Sequence, residues 1–387
     1  MTHFLTHNSN LEYQKYALPC NYEVLIPIFG SMESKIKNGV ALAIIPQIIL
    51  VKWLGKHPDI IEMYYSEGLY PWVSKFFRVL YGWVPISVGD VLYFILSILA
   101  IRYVYKHWLE IRTYPFRFLK NIVFILSIAY FTFHLLWGFN YYRLPISQKF
   151  NLSEKHTDDE LLELAEALIV KSNELQFAIT KDTAQAVKIP YAQQEIFDRT
   201  LIGYEHLEKA YLFISYEQPS IKTSIFSTAL SYMGYGGYLN PFTHEAQVNG
   251  RLPNYRFPVV AGHEIGHQIG YSAENETNFI GYLVTIQNPD IYFQYSAYTY
   301  GLAYCLGDIR RYDQEKFKEL YVKLNPGIQK NYQEMNDFWQ SFENPLEPVF
   351  KSIFNTFLKA NNQAQGIKSY NAVVSLMVNY HKKYPID

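Results

Sequence analysis

Residues 121–141 read NIVFILSIAYFTFHLLWGFNY, and this stretch divides the chain in two. Only Ser127, Thr132 and His134 interrupt its apolar run, and about 20 residues at roughly 1.5 Å rise each cross the hydrocarbon core of a bilayer. Trp137, Tyr141 and Tyr142 close it, where an interfacial aromatic belt is expected. Two further runs lie upstream. Residues 88–107, VGDVLYFILSILAIRYVYKH, carry Asp90 near one end and Arg102 near the other, both within reach of the headgroups. Residues 36–54 are cleanest from Gly39 to Val51, with Pro46 and Gln47 inside the run. No comparable run follows residue 142.

The 387 residues are 49% apolar but only 18% charged, a shortage of charge that three spans explain. Against 35 Asp+Glu stand 34 Lys+Arg, a net charge of -1, so there is no basic surplus for a nucleic-acid partner. Cys20 and Cys305 are the only cysteines. They exclude a disulfide scaffold and a Cys-rich zinc module, so any metal must be held by His and carboxylate.

Orientation follows from the cations, which are retained on the cytoplasmic side of span ends. The connection between the second and third spans carries Arg102, Lys106, Arg112, Arg117 and Lys120 against Glu110 alone. The connection over 55–87 balances Lys56, Lys75 and Arg78 with Asp59, Glu62 and Glu67, and Lys35 and Lys37 precede the first span. This bias predicts a multi-pass protein of the cell inner membrane, with the chain after residue 142 facing the periplasm or exterior. Residues 1–35 form a polar leader without the h-region or cleavage site of a signal peptide. Met32, followed by ESKIKNGVALAIIP, has the character of a membrane-protein start. The domain reading is therefore a leader over 1–35, a membrane domain over 36–142 and an extracytoplasmic domain over 143–387.

That outer domain of about 245 residues suffices for its own core. Its pattern is mainly α. Thr157 with Glu160 forms a capping box opening a helix to about 177, and a second helix is predicted over 191–211. Residues 212–260, rich in Gly, Pro, Ser and Tyr, predict short strands and turns, hence a small sheet. Further helices are expected from 258, and over 273–287, 296–322, 325–341, 345–360 and 368–383, with Pro326, Pro345 and Gly366 as punctuation.

Residues 263–279 read HEIGHQIGYSAENETNF. On a helix, His263 and His267 lie about 40° apart and can present both imidazoles to one zinc. Glu264 sits beside the first His, near the coordination position left open to water. Zinc lowers the pKa of bound water to about 7, and Glu264 can take its proton as general base. A catalytic zinc needs a third protein ligand, and Glu274 and Glu276 are at hand, with Gly270 allowing the chain to turn back. On one helix these carboxylates point about 200° apart, so only one faces the metal. Charged residues on both sides, Arg251 and Arg256 before and Glu274 and Glu276 after, place the motif in water. The preceding LNPFTHEAQVN has the character of an edge strand able to pair with an extended peptide; its Glu245 and Asn249 have structural readings. Tyr292, Tyr295, Tyr298, Tyr300 and Tyr370 are candidates for oxyanion stabilisation, none favoured among 35 tyrosines.

The arrangement resembles the gluzincin zinc peptidases, in which an H-E-x-x-H helix is followed by a helix bearing E-x-x-x-D or E-x-x-x-N. That resemblance implies a zincin-like fold, His263, His267 and Glu274 as zinc ligands, and Asn278 as the group behind them. YYSEGLYPWVSKFFRVLYGWVPISVGDVLY, WGFNYYRLP, GYLNPFTHEAQVN and FLKANNQAQGIKSYNAVV also resemble an uncharacterised domain-of-unknown-function family of bacterial polytopic membrane proteins. Members commonly carry Ala and Gly where this chain has Thr277 and His244. The expectation is a membrane-anchored zinc metallopeptidase acting on peptide or protein substrates of the cell envelope, with the lipid bilayer as its other partner. The alternatives are a structural zinc site in a binding or scaffold module, and a zinc amidase acting on cell-wall material.

Overall fold

The computed structural model describes residues 34–363 and 372–386. The start at Met32, most of the leader, Gly366 and Tyr370 lie outside the described residues. The chain is mainly helical with one small sheet. Among the described residues, three helices are long and apolar enough to cross a membrane: Lys35–Leu54, Val88–Lys106 and Pro115–Leu136. The first comprises α1 (Ser34–Leu42) and α2 (Ile44–Leu54), broken at Ala43. Pro46 explains the break, because it has no N–H for the Leu42 carbonyl and its ring crowds that group. The second, α4 (Val88–Lys106), is capped by Ser87, which accepts from the Asp90 N–H at 3.0 Å. The third, α5 (Pro115–Leu136), begins six residues before the predicted run, with Pro115 in its first turn.

Residues 55–87, read from the sequence only as a charge-balanced connection, are largely helical. A short turn at Pro58–Ile61 leads into a π-helical stretch, Glu62–Leu69, and then α3 (Tyr70–Tyr81). Nor does the end of α5 form an aromatic belt. Trp137 and Tyr142 are buried, Trp137 against His267 and Tyr142 against Gly55 at the end of α2.

That outer part carries α6 (Asp158–Thr180) and α7 (Gln193–Glu208), the former opened by the Thr157–Glu160 capping box. The sheet has β1 (Ile221–Thr223), β2 (Gly237–Leu239) and β3 (Ala246–Val248) in the order β1-β3-β2. β3 runs parallel to β1, Ile221 facing Ala246, and antiparallel to β2, Gly237 facing Val248. The 246–248 stretch is therefore the buried central strand and not an edge; β1 and β2 are the edges. Next come α8 (Phe257–Gln268), α9 (Glu274–Ile286) and α10 (Ile291–Tyr312). The predicted 296–322 helix is two helices, since Asp313 leaves the helical conformation to cap α11 (Gln314–Val322), accepting from the Lys316 N–H. α12 (Pro326–Ser341), α13 (Glu347–Ala360) and α14 (Val373–Lys383) complete the chain. α7, α8, α10 and α14 pack against α9, whose Phe279, Ile280 and Leu283 are fully buried.

A buried polar network joins the sheet to the start of α4. The Glu245 carboxylate accepts from the Val88 N–H at 3.1 Å, the Gly89 N–H at 2.5 Å and the Thr243 hydroxyl at 2.8 Å, and pairs with Lys222. Lys222 Nζ also donates to the carbonyls of Tyr81 and Ile86. Asp90 does not reach for headgroups; it is fully buried and accepts from the Ile225 N–H at 2.6 Å, the Ser224 hydroxyl and Tyr238. Glu245 thus sits at a helix N-terminus, where a carboxylate is favoured. Beside it, His244 has φ +52, the left-handed region that costs a side chain about 1–2 kcal/mol. This accounts for the glycine that resembling sequences carry there. The His244 ring stacks on Phe77 of α3, 5.1 Å between centroids, and burial holds its imidazole neutral, its pKa down at about 3. Lys222→Met strips Glu245 of its cation and lowers stability by about 3–5 kcal/mol. Lys222→Met/Glu245→Gln recovers part of that loss, both read by thermal denaturation of the solubilised chain.

Candidate metal centre

α8 and α9 carry the candidate ligands, and two glycines let them cross in backbone contact. A Cβ on Gly281 would lie 2.7 Å from the Val259 carbonyl oxygen and 2.9 Å from the His263 nitrogen, and one on Gly262 would lie 3.1 Å from the Gly281 Cα. The turn between the helices relies on Gly270 at φ +93. Its N–H returns to the His267 carbonyl, and the Tyr271 N–H to that of Gly266.

This crossing brings His263, His267 and Glu274 together, one ligand atom of each lying within 4.8 Å of the others. Glu274 Oε2 is 3.4 Å from His263 Nε2 and 3.8 Å from His267 Nε2. The two imidazoles stand perpendicular, 4.8 Å between centroids. His267 Nδ1 lies 2.8 Å from the Tyr271 carbonyl, which accepts only, so Nδ1 carries a proton and Nε2 is the ring nitrogen turned to the cluster. Among the described residues this is the group of His, Cys, Asp and Glu that can hold a metal ion.

The cluster's own electrostatics call for positive charge. Burial opposes the Glu274 charge, but hydrogen bonds from both imidazoles outweigh it and hold the carboxyl well below its usual range. Burial likewise disfavours the His267 imidazolium, yet Glu274 and then Glu264 lift its pKa to about 9. Two imidazoles and a carboxylate so disposed fit a zinc ion.

Glu264 is buried beside them, and burial raises its pKa to about 7 against the pull of the two imidazoles. Its Oε2 has no hydrogen-bond partner. Its Oε1 lies under Gly237 of β2, so close that any Cβ there would collide with it. β2 therefore passes directly over Glu264.

Glu276 points elsewhere: Oε1 accepts from the Ile146 N–H at 2.8 Å on the side of Arg143, and burial raises its pKa to about 7. Asn278 is buried behind Glu274, accepting from the Tyr300 hydroxyl at 2.6 Å and donating to that of Tyr304 at 3.3 Å. Both tyrosines feel the Glu274 charge, as do Tyr141 and Tyr235, whose pKa values burial raises first. Tyr141, Tyr235 and Tyr304 carry no distinguishing signal in the sequence. Tyr292 and Tyr298 pack against Tyr191 and Tyr282, and Tyr295 donates to Asn331. Glu245 and Asn249 are structural, the latter donating to Ser231 and the Tyr235 carbonyl.

Residues 65–378 match the model of a family described as protein of unknown function, DUF3810. The match covers most of the chain, which belongs to this family. No curated protein and no solved structure matches the chain. In zinc titration of the metal-stripped protein, Glu274→Gln weakens binding by more than about tenfold, the scale that outer groups alone command. Glu276→Gln leaves the affinity at the unmodified level.

Proposed function

We propose that this chain is a membrane-anchored zinc metallopeptidase, with a zincin-like domain over 143–387 facing the periplasm or exterior. The observation that carries this reading is the convergence of His263, His267 and Glu274 within 4.8 Å beside a buried carboxylate, Glu264, that has an unpartnered oxygen. A structural zinc normally has four protein ligands and needs no base. Three ligands and Glu264 support a catalytic site.

His263, His267 and Glu274 hold the zinc. When bound, it supplies Lewis acidity, polarising an amide carbonyl and bringing the pKa of water near 7. Glu264 takes the proton of the attacking water and returns it to the departing amine. Its burial supports that role, since desolvation raises a carboxyl above its ordinary range and makes it a stronger base. β2 supplies the place for substrate: it is an edge strand, so an extended peptide that adds to the sheet there runs across Glu264. Gly237 keeps that path free of a side chain. Tyr300 donates its proton to Asn278, whereas Tyr304 only accepts and Tyr235 has just a long 3.5 Å bond to the Phe350 carbonyl to give up, so Tyr141, Tyr235 and Tyr304 are the hydroxyls assigned to the carbonyl oxygen of the substrate.

The test is hydrolysis of a peptide library by the zinc-loaded, full-length protein. Glu264→Gln lowers the rate by about 10²–10⁴-fold, the usual worth of a general base, with zinc binding retained. Equal rates for the two proteins contradict the assignment. Trapping of wall fragments and no polypeptide by Glu264→Gln overturns the peptidase reading in favour of cell-wall amide hydrolysis.

A further inference from the structure

Two amphipathic helices turn an apolar face outward, away from the core they help to build. On α3, Tyr70, Ser74 and Arg78 face inward, whereas Trp72, Phe76 and Val79 are 75%, 62% and 55% exposed along the opposite side, and Trp83, just past the helix end, is 79% exposed. Lys75, at the margin of that side, is drawn off by Glu217. On α13 the inward side meets the candidate metal centre. Phe354 contacts Tyr235 at 5.3 Å, Phe357 contacts Tyr141 at 5.9 Å, and Asn362 just beyond donates to the Tyr141 carbonyl. Its outward side carries Leu346, Val349 and Ile353 at helical spacing, all more than half exposed.

Both stripes are continuous with the apolar helices. Gly82–Ser87 connects α3 directly to the first turn of α4, and Phe357 packs on Phe133 in the last turn of α5, 6.1 Å between centroids. Leu54, Val88 and Leu136, the ends of the three candidate spans nearest the metal centre, lie at one face because the chain alternates sides. A helix with one apolar face, tryptophans at its ends and lysines at its margins suits the headgroup boundary. α13 has no tryptophan but carries Lys351, paired with Glu347, and Lys359 exposed beside its stripe. Apolar patches of this kind are seldom left to water.

We infer that the outward stripes of α3 and α13 lie in the bilayer interface, so lipid covers them and the α13 wall of the metal centre is itself a membrane contact. The protein then meets the membrane through three transverse helices and two that lie along its surface. This assignment holds whichever bond the centre cleaves.

Nitroxide labels at Phe76→Cys and Ile353→Cys test it, in a full-length Cys20→Ser background that keeps the wholly buried Cys305. The protein is reconstituted in vesicles of phosphatidylethanolamine and phosphatidylglycerol. Accessibility to oxygen, which concentrates in lipid, is compared with that to a water-soluble nickel complex. Leu99→Cys on α4 is the lipid control and Val322→Cys on α11, 78% exposed, the water control. The expected result is oxygen access with loss of nickel access at both test positions, as at Leu99. Nickel access at either position equal to that at Val322 overturns the inference. So does an immobilised label shielded from both reagents, which means that protein and not lipid covers the stripe.

Discussion

The last turn of α8 has carbonyl groups that the helix itself cannot satisfy, and the candidate metal centre depends on what satisfies them. The Gln268 carbonyl accepts from the Tyr70 hydroxyl at 2.8 Å and the Ser74 hydroxyl at 3.0 Å. The His267 carbonyl accepts from Trp137 Nε1 at 3.3 Å, and the Gly270 carbonyl from Arg143 at 2.9 Å. None of these donors belongs to the outer helices. Tyr70 and Ser74 come from α3 between the first two apolar helices, Trp137 from the residue after α5, and Arg143 from a few residues later. Arg143 is held in turn by Glu62 at 2.7 Å and stacks over Tyr271 at 4.1 Å. The pose of His267 is thereby fixed from the membrane side, and Tyr271, whose carbonyl orients its ring, is clamped by the same arginine.

This arrangement explains why the chain is not a soluble domain tied to an anchor. The Lys222–Glu245 pair and Asp90 lock the sheet to the first turn of α4. Trp137 and Tyr141 carry the end of α5 into the site. The family match, from residue 65 to 378, takes in both the inter-span segment and the helices of the candidate metal centre. Buried charged and hydrogen-bonded contacts dominate the junction, and each loses several kcal/mol of partner energy if pulled apart, on the order of 1–3 kcal/mol per unsatisfied group.

Much of this was legible in the sequence where a feature has one physical meaning. Long apolar runs identify the three apolar helices, the Thr157–Glu160 box opens α6 where predicted, and the four-residue spacing of His263 and His267 puts both on one helix face. Helical phase lets only one of Glu274 and Glu276 face the cluster, and it is the resemblance to an E-x-x-x-N helix that implies Glu274. Other features are ambiguous by nature. Tryptophan and tyrosine at the end of an apolar run serve equally as interfacial belt or as docking groups, and Trp137 took the second role. Arg117 and Lys120 hid the first turn of α5. α3 buries its polar side and exposes its apolar one, so periodicity alone gives it no inward face. Strand order depends on pairings between β1 and β3, far apart in sequence, which made a central strand resemble an edge. Tyr141 and Tyr235 could not be told from 33 other tyrosines by composition.

The central claim is that His263, His267 and Glu274 hold a metal ion. Elemental analysis of the purified full-length chain after dialysis against metal-free buffer tests it most directly, with His267→Ala prepared in parallel. The account predicts about one zinc per chain, lost in the variant, as three-ligand sites require. No tightly bound metal in the unmodified protein, or the same zinc content in both, would contradict it.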